Sequence, residues 1–274
     1  MGARTFLVPY DSGHRGWRMG AGPLRLLARG DLPGAAPVAV EAASRLEIAA
    51  AFELARGLAS EVLEAAAAGQ GALVLSGNCG VAALGVTSGV WAEDLGVVWF
   101  DAHGESETPE TTRSGYLDGM GLSILTGRCW QGPMSLTPPL RTLPAGRILL
   151  AGARDLSDAE RRSHAESGML LAPGAQVRGG GWDAALARLA EAGVGRVYLH
   201  LDLDVLDPDA VAPANTFAAP GGLTGGELLG AIDAVLARFP LAGAALASWD
   251  PSVDREGRVE GVAVAALRRL HAAL

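Results

Sequence analysis

Short apolar runs rich in Val, Leu and Phe alternate along the chain with longer Ala/Leu/Glu segments of helical period. Runs of the first kind at residues 6–9, 72–76, 96–101, 147–151, 169–172, 196–202 and 244–248 predict strands. Several are apolar on both faces, as strands buried inside a parallel sheet are. Segments of the second kind predict helices over 42–68, 81–91, 157–167, 182–192, 225–239 and 259–273, most of them bounded by Gly or Pro. This alternation predicts an α/β fold with a central, mostly parallel sheet wrapped by helices. Gly/Pro-rich stretches at 20–23, 132–144 and 208–222 read as loops inside one domain spanning 1–274, because neither an internal repeat nor a charged linker separates two halves. In such sheets ligands sit at the carboxyl ends of the strands, so chemistry is to be sought in the residues that end each strand.

Composition narrows the function classes. The 274 residues include 22 basic and 30 acidic side chains, a net charge of −8, and every basic residue is arginine. A chain without lysine has no Walker-type phosphate loop, no Schiff-base lysine and no lysine general base. Abundant Ala, Gly and Arg with so few Lys read as coding bias. Scattered arginines and a negative total predict no nucleic-acid partner. No apolar run reaches the ~18 residues of a membrane span, and Thr5-Phe6-Leu7-Val8 is shorter than the about 7–15 apolar residues of a signal-peptide core. The expectation is a cytoplasmic protein whose two cysteines, Cys79 and Cys129, are free for packing or for metal.

Three predicted strand ends carry groups that structure alone does not require. One is Trp99-Phe100-Asp101-Ala102-His103-Gly104-Glu105, where an apolar run ends in Asp, His and Glu at alternate positions. Another is Asp202-Leu203-Asp204-Val205-Leu206-Asp207-Pro208, in which a period of two points Asp202 and Asp204 the same way. The third, Ser76-Gly77-Asn78-Cys79, presents a thiol at a strand-to-helix turn. Carboxylates gathered in a dry cleft take up protons unless a cation neutralises them. Oxygen and imidazole ligands in this pattern suit hydrolytic Mn²⁺ or Zn²⁺ centres, and four carboxylates suffice for two ions. Each pair alone could instead be a helix cap or an arginine ion pair; together they favour metal.

These stretches, with Gly221-Gly222-Leu223-Thr224 and Glu227, resemble the arginase/agmatinase/formiminoglutamase family, the ureohydrolases. Gly20-Ala21-Gly22-Pro23, Thr108-Pro109, Ser114-Gly115, Arg154-Asp155 and Asp250-Pro251 with Asp254 support the resemblance in family order. It implies an arginase-like three-layer α/β/α fold and a dinuclear manganese centre whose bridging hydroxide attacks a guanidinium carbon. By matched position Asp101 and Asp202 would bridge both ions, His103 and Asp204 would bind one, and Cys79 and Glu105 the other. The implied partner is a small, cationic substrate; a homo-oligomer is compatible with the family.

Several positions depart from the family pattern. Cys79 replaces a ligand His, which brings the ligand anions to five (Cys79, Asp101, Glu105, Asp202, Asp204) against four positive charges from two divalent ions. Sulfur shifts preference from Mn²⁺ towards Zn²⁺, Fe²⁺ or Co²⁺. A Cys here resembles the branch that hydrolyses hydroxyguanidines such as Nω-hydroxy-arginine; the alternative is an unligated thiol beside one metal. Glu105 replaces the usual Asp. Glu107 stands where amino-acid-cleaving members present Asn to a carboxylate, and Ser157 where arginases place an acid against the α-amino group, so a substrate with a distal amine or without a carboxylate is expected rather than ordinary L-arginine. Glu107 could equally be a solvated loop carboxylate. Asp118 occupies the place of the proton-relaying His, which requires a raised pKa. Ser248 stands where a Glu usually pairs with guanidinium. Candidate substrate contacts are therefore Glu107, Ser114, Ser157 and Ser248, with Asp118 and His103 as candidate catalytic groups. A formimino or acyl-amine hydrolase, or a lapsed metal-binding subunit, are the alternatives. His14, His164 and His271 read as surface or loop residues, His200 as packed, and Cys129 as core filler.

Overall fold

The computed structural model describes residues 2–30, 32 and 37–274. In chain order the strands are β1 (Arg4–Val8), β2 (Tyr10–Asp11), β3 (His14–Arg15), β4 (Val38–Ala39), β5 (Ala72–Ser76), β6 (Leu95–Phe100), β7 (Ile148–Ala151), β8 (Leu170–Ala172), β9 (Arg196–Asp202) and β10 (Leu241–Ala247). The α-helices are α1 (Ala21–Ala28), α2 (Glu47–Ala67), α3 (Cys79–Gly89), α4 (Gly121–Leu125), α5 (Gln131–Met134), α6 (Asp158–Ser167), α7 (Gly174–Arg178), α8 (Gly181–Glu191), α9 (Gly225–Arg238) and α10 (Arg258–Ala273). Eight strands form one sheet in the order β4-β1-β5-β10-β9-β6-β7-β8, and every pairing in it is parallel.

Side-chain alternation splits the core into two layers. β6 sends Val98 and Phe100 to one face and Val97 and Trp99 to the other; β9 sends Leu199 and Leu201 to the first and Tyr198 to the second. Apolar residues of α8, α9 and α10, among them Trp182, Ile232 and Leu267, close the first layer. Those of α2, α3 and α4, among them Phe52, Val86 and Leu122, close the second. The result is the expected three-layer α/β/α arrangement. No described helix is long and apolar enough to cross a membrane.

The structure corrects several details. Residues 20–23, expected as a loop, begin α1. Pro23 is tolerated because the first helical N–H groups have no intrahelical acceptor, and a side chain at Gly22 would run into the Trp249 carbonyl. The helix expected from 42 starts at Glu47, and the last strand starts at Leu241, three residues early. The β2–β3 hairpin, not foreseen, turns through Ser12 (φ 47°) and Gly13 (φ 80°), the paired positive φ values of a tight two-residue turn.

Gly77, between β5 and α3, is pressed against backbone. A Cβ there would strike the Tyr10 carbonyl and lie 2.8 Å from Gly20 N and Cα. Gly77→Ala is expected to destabilise the protein by about 2–4 kcal/mol, as overpacking against backbone does. The urea midpoint measures it; an unchanged midpoint would show that the turn relaxes freely.

Candidate metal centre

The four central strands, in the order β5-β10-β9-β6, bring their carboxyl ends to one place. β5 leads through Asn78 into α3, whose first residue is Cys79. β6 is followed directly by Asp101 and then His103, β9 ends at Asp202, a short 3₁₀ turn (Leu203–Val205) carries Asp204, and β10 is followed by Ser248. One ligand-capable atom from each of Cys79, Asp101 and Asp202 lies within 4.8 Å of the others, and so does one from each of Asp101, His103 and Asp204. Asp101 thus belongs to both groups.

Cys79 Sγ is 3.0 Å from Asp202 Oδ2 and 3.1 Å from Ser248 Oγ. His103 Nδ1 lies 3.4 Å from Asp101 Oδ1 and 3.3 Å from Asp204 Oδ2. Outer contacts orient these groups. Trp99 Nε1 donates to Asp101 Oδ2 (2.8 Å), the His103 N–H donates to Asp101 Oδ1 (2.8 Å), and the Asp204 N–H donates to Asp202 Oδ1 (2.8 Å). Asn215 Nδ2 donates to Asp204 Oδ2 (3.2 Å) and to the Ser248 carbonyl (2.8 Å). His103 Nε2 is 3.2 Å from the Phe217 carbonyl. A carbonyl can only accept, so Nε2 carries a proton; the carboxylates of Asp101 and Asp204 hold a second one on Nδ1, whose place a cation would take.

Glu105 belongs to neither group. It is buried on a left-handed backbone (φ 53°), and its Oε2 has no hydrogen-bond partner among the described residues. An orphaned buried carboxylate oxygen beside clustered acids, with thiol and imidazole nearby, fits residues built around cations. The field is consistent with this. Burial, then the neighbouring carboxylates, raises Asp202, Glu105 and Cys79 well above their ordinary values. Burial and Asp204 raise Asp101. Burial opposes ionisation of Asp204 too, but the hydrogen bond and charge of His103 outweigh it and hold Asp204 low.

These shifts carry a pH signature. A carboxyl whose folded pKa lies above its unfolded value near 4 contributes stability below that pH and loses it as pH rises. Metal-free protein should therefore weaken as pH climbs from about 4, whereas ion binding, which must displace those protons, should strengthen. Melting temperatures with and without metal are expected to diverge as pH rises; a constant gap would contradict the assignment.

The centre opens into a cleft of about 470 Å³ whose wall includes Arg18, Glu107, Ser114, Tyr116, Asp118, Ser157, Phe217 and Ser248. Asp118 Oδ2 accepts from the Cys79 N–H (2.9 Å) and Asn78 Nδ2 (3.0 Å), and Oδ1 accepts from the Gly80 N–H (2.8 Å), so this carboxylate caps α3 from outside. Withdrawal from water outweighs those donors and pushes it up to about 7. Ser157 is the N-cap of α6, sharing a capping box with Glu160. Ser114 is exposed and accepts from the Tyr116 N–H (3.1 Å). Glu107 is partly buried, with no side-chain partner among the described residues. Ser248 is buried on a left-handed backbone (φ 63°).

His164, expected at the surface, is buried, its Nε2 2.9 Å from the Gly104 carbonyl, where it braces the turn into Glu105. Burial lowers its pKa, so the ring stays neutral. His200 is packed as expected, with Nδ1 2.7 Å from Tyr198 Oη and its ring 4.0 Å from that of Trp99. Cys129 lies in the second core layer. Sequence reasoning missed Asn215, which sits in an aperiodic loop. It also missed Asp11, which is fully buried and accepts at Oδ1 from Tyr116 Oη and Ser12 Oγ, 3.0 and 3.1 Å away. The Ser12-Gly13 turn was the available signal for Asp11.

Strand ends converging on two groups of potential ligands that share an aspartate define an α/β protein with a candidate metal centre. The arginase family model matches residues 6–272, and the chain belongs to the arginase family. It is 31% identical over 219 residues to the arginase of Bacillus caldovelox, covering 78% of this chain and 72% of that protein. It is 32% identical over 171 residues to the N(omega)-hydroxy-L-arginine amidinohydrolase of Streptomyces lavendulae, where the match covers 62% of this chain and 57% of that relative. The structure of Bacillus subtilis arginase superposes with a TM-score of 0.85 over 98% of both chains at 22% identity, a likeness of fold.

Proposed function

We propose that the protein hydrolyses a guanidino compound, releasing urea or hydroxyurea and an amine. The observation that carries this reading is Asp101 shared between two ligand groups, beneath an acidic cleft that His103, Asp202 and Asp204 line. Two divalent ions would be held by Asp101 in common, with His103 and Asp204 on one side and Cys79, Asp202 and, by family position, Glu105 on the other. When bound, such ions supply Lewis acidity and a water-derived nucleophile at neutral pH. Family resemblance supports manganese, whereas a Cys79 thiolate would favour a softer ion such as Zn²⁺, Fe²⁺ or Co²⁺.

The chain's own groups do the rest. The acids draw a cationic guanidinium towards the floor. The Phe217 carbonyl and Asn215 hold His103 and Asp204 in place. Asp118, with a lone pair left on Oδ1 and a pKa near neutrality, returns a proton to the departing amine. Cys79 and the Streptomyces relative's activity make Nω-hydroxy-L-arginine the first substrate to try. Metal-loaded protein incubated with Nω-hydroxy-L-arginine, L-arginine, agmatine and 4-guanidinobutyrate should release urea or hydroxyurea with an equal amount of amine from at least one. Release of ammonia in place of urea, or no turnover with two ions bound, would overturn the reading.

A further inference from the structure

Arg18 is the single arginine among the residues lining the cleft, whose other charged lining residues are His103 and carboxylates. Its backbone is left-handed (φ 45°), a conformation disfavoured for a residue with a long side chain. The guanidinium is fixed from several sides. Its Cζ lies 4.9 Å from the ring centre of Trp17, 5.0 Å from that of Phe217 and 5.9 Å from that of Tyr116. Tyr116 and Phe217 stack on each other with centroids 5.6 Å apart. Nε faces Asp11 Oδ2 at 3.2 Å, and among the described residues Asp11 is the only polar partner of this guanidinium. The terminal nitrogens Nη1 and Nη2 therefore form a planar donor fork with no acceptor among the described residues, at a site that is partly open to the cleft.

A counter-ion for Asp11 needs neither the fork nor the aromatic collar. Asp11 Oδ1 already accepts from Tyr116 and Ser12 and is 3.4 Å from Asn78 Nδ2, and Oδ2, which has no hydrogen-bond partner among the described residues, faces only Nε of Arg18, so the neutralising contact leaves both terminal nitrogens over. A cation at the mouth would also repel a substrate that is purely cationic, working against the acids below it. The arrangement makes physical sense when the end of the substrate remote from the guanidinium is an anion. We propose that Arg18 is the specificity-determining anchor of the cleft, its fork receiving the carboxylate of a guanidino acid whose guanidinium lies over the acidic floor. The proposal rests on the guanidine-hydrolase reading and reverses the amine-terminated substrate expected from Glu107 alone. A planar fork matches a carboxylate in a way that lysine does not.

The test uses matched pairs that differ by the carboxylate. Metal-loaded protein is titrated calorimetrically with L-ornithine and with putrescine, and kcat and KM are measured on L-arginine and agmatine, or on their Nω-hydroxy forms, for wild type, Arg18→Lys and Arg18→Met. Wild type should favour the carboxylate member of each pair. In Arg18→Met that preference should fall about 10- to 100-fold, mostly through KM and the binding constant, with Arg18→Lys intermediate. Because Arg18→Met uncovers Asp11, the double variant Asp11→Asn/Arg18→Met removes both charges and should show the same loss. An unchanged preference in a folded Arg18 variant, with guanidines still hydrolysed, overturns the role of Arg18 and leaves the hydrolase reading standing. Arg18-dependent ornithine binding without hydrolysis of any guanidine supports the anchor and sinks the hydrolase reading.

Discussion

Asp101→Asn should lower metal occupancy on both sides of the centre at once and reduce turnover by more than the about 10- to 100-fold seen when only an outer-shell partner is lost. Asp101 is the one residue common to both ligand groups. An amide there would still accept the His103 N–H through its oxygen, but it would bring no charge to the cations, and its NH₂ would face the Trp99 Nε1 donor now 2.8 Å from Asp101 Oδ2. Replacing Cys79 by Ala instead should affect only the side it serves. Elemental analysis of the two variants separates the cases: Asp101→Asn should fall well below the Cys79→Ala protein in ions per chain. Equal losses would show that the two groups are not joined through Asp101.

Arg154→Met should destabilise the protein by about 1–3 kcal/mol, the scale of leaving carbonyl acceptors without their charged donor at a part-buried site. Arg154 donates to the carbonyls of Gly152, Asp204, Val205, Leu206, Ala219 and Pro220 at 2.9–3.4 Å, tying the turn that carries Asp204 to the loop after Phe217. Its charge also faces Asp204, Asp101, Asp207 and Asp202. Methionine fills the same volume but satisfies none of those acceptors, so both loops should loosen. Urea unfolding measures the loss, and proteolytic cleavage within residues 206–222 should quicken. No measurable loss would show that water takes the place of Arg154 at those carbonyls without cost.

The fold was legible because buried parallel strands leave a strong mark. The runs at 72–76 and 196–202 match β5 and β9, since these strands are buried on both faces, largely apolar, and end in polar residues. The ligand groups were legible for a related reason: an apolar strand followed by alternating acids, as at Asp101 and His103 or Asp202 and Asp204, has little to recommend it except a cation. What escaped lies where tertiary contact decides local structure. The 20–23 stretch reads as Gly/Pro loop, yet it is helical because Gly22 lets α1 approach the Trp249 backbone. His164 looked like any polar helix residue, and its burial depends on the Gly104 carbonyl sixty positions away. Arg18 carried no signal as one arginine among many; its meaning comes from the rings of Tyr116 and Phe217, which only the fold brings to it.

The measurement that tests the account most directly is elemental analysis of the purified, fully loaded protein, paired with anomalous X-ray scattering to locate the ions. The account predicts two divalent ions per chain, one bounded by Cys79, Asp101 and Asp202 and the other by Asp101, His103 and Asp204. A single ion per chain at saturation, or ions bound away from Asp101, would contradict it.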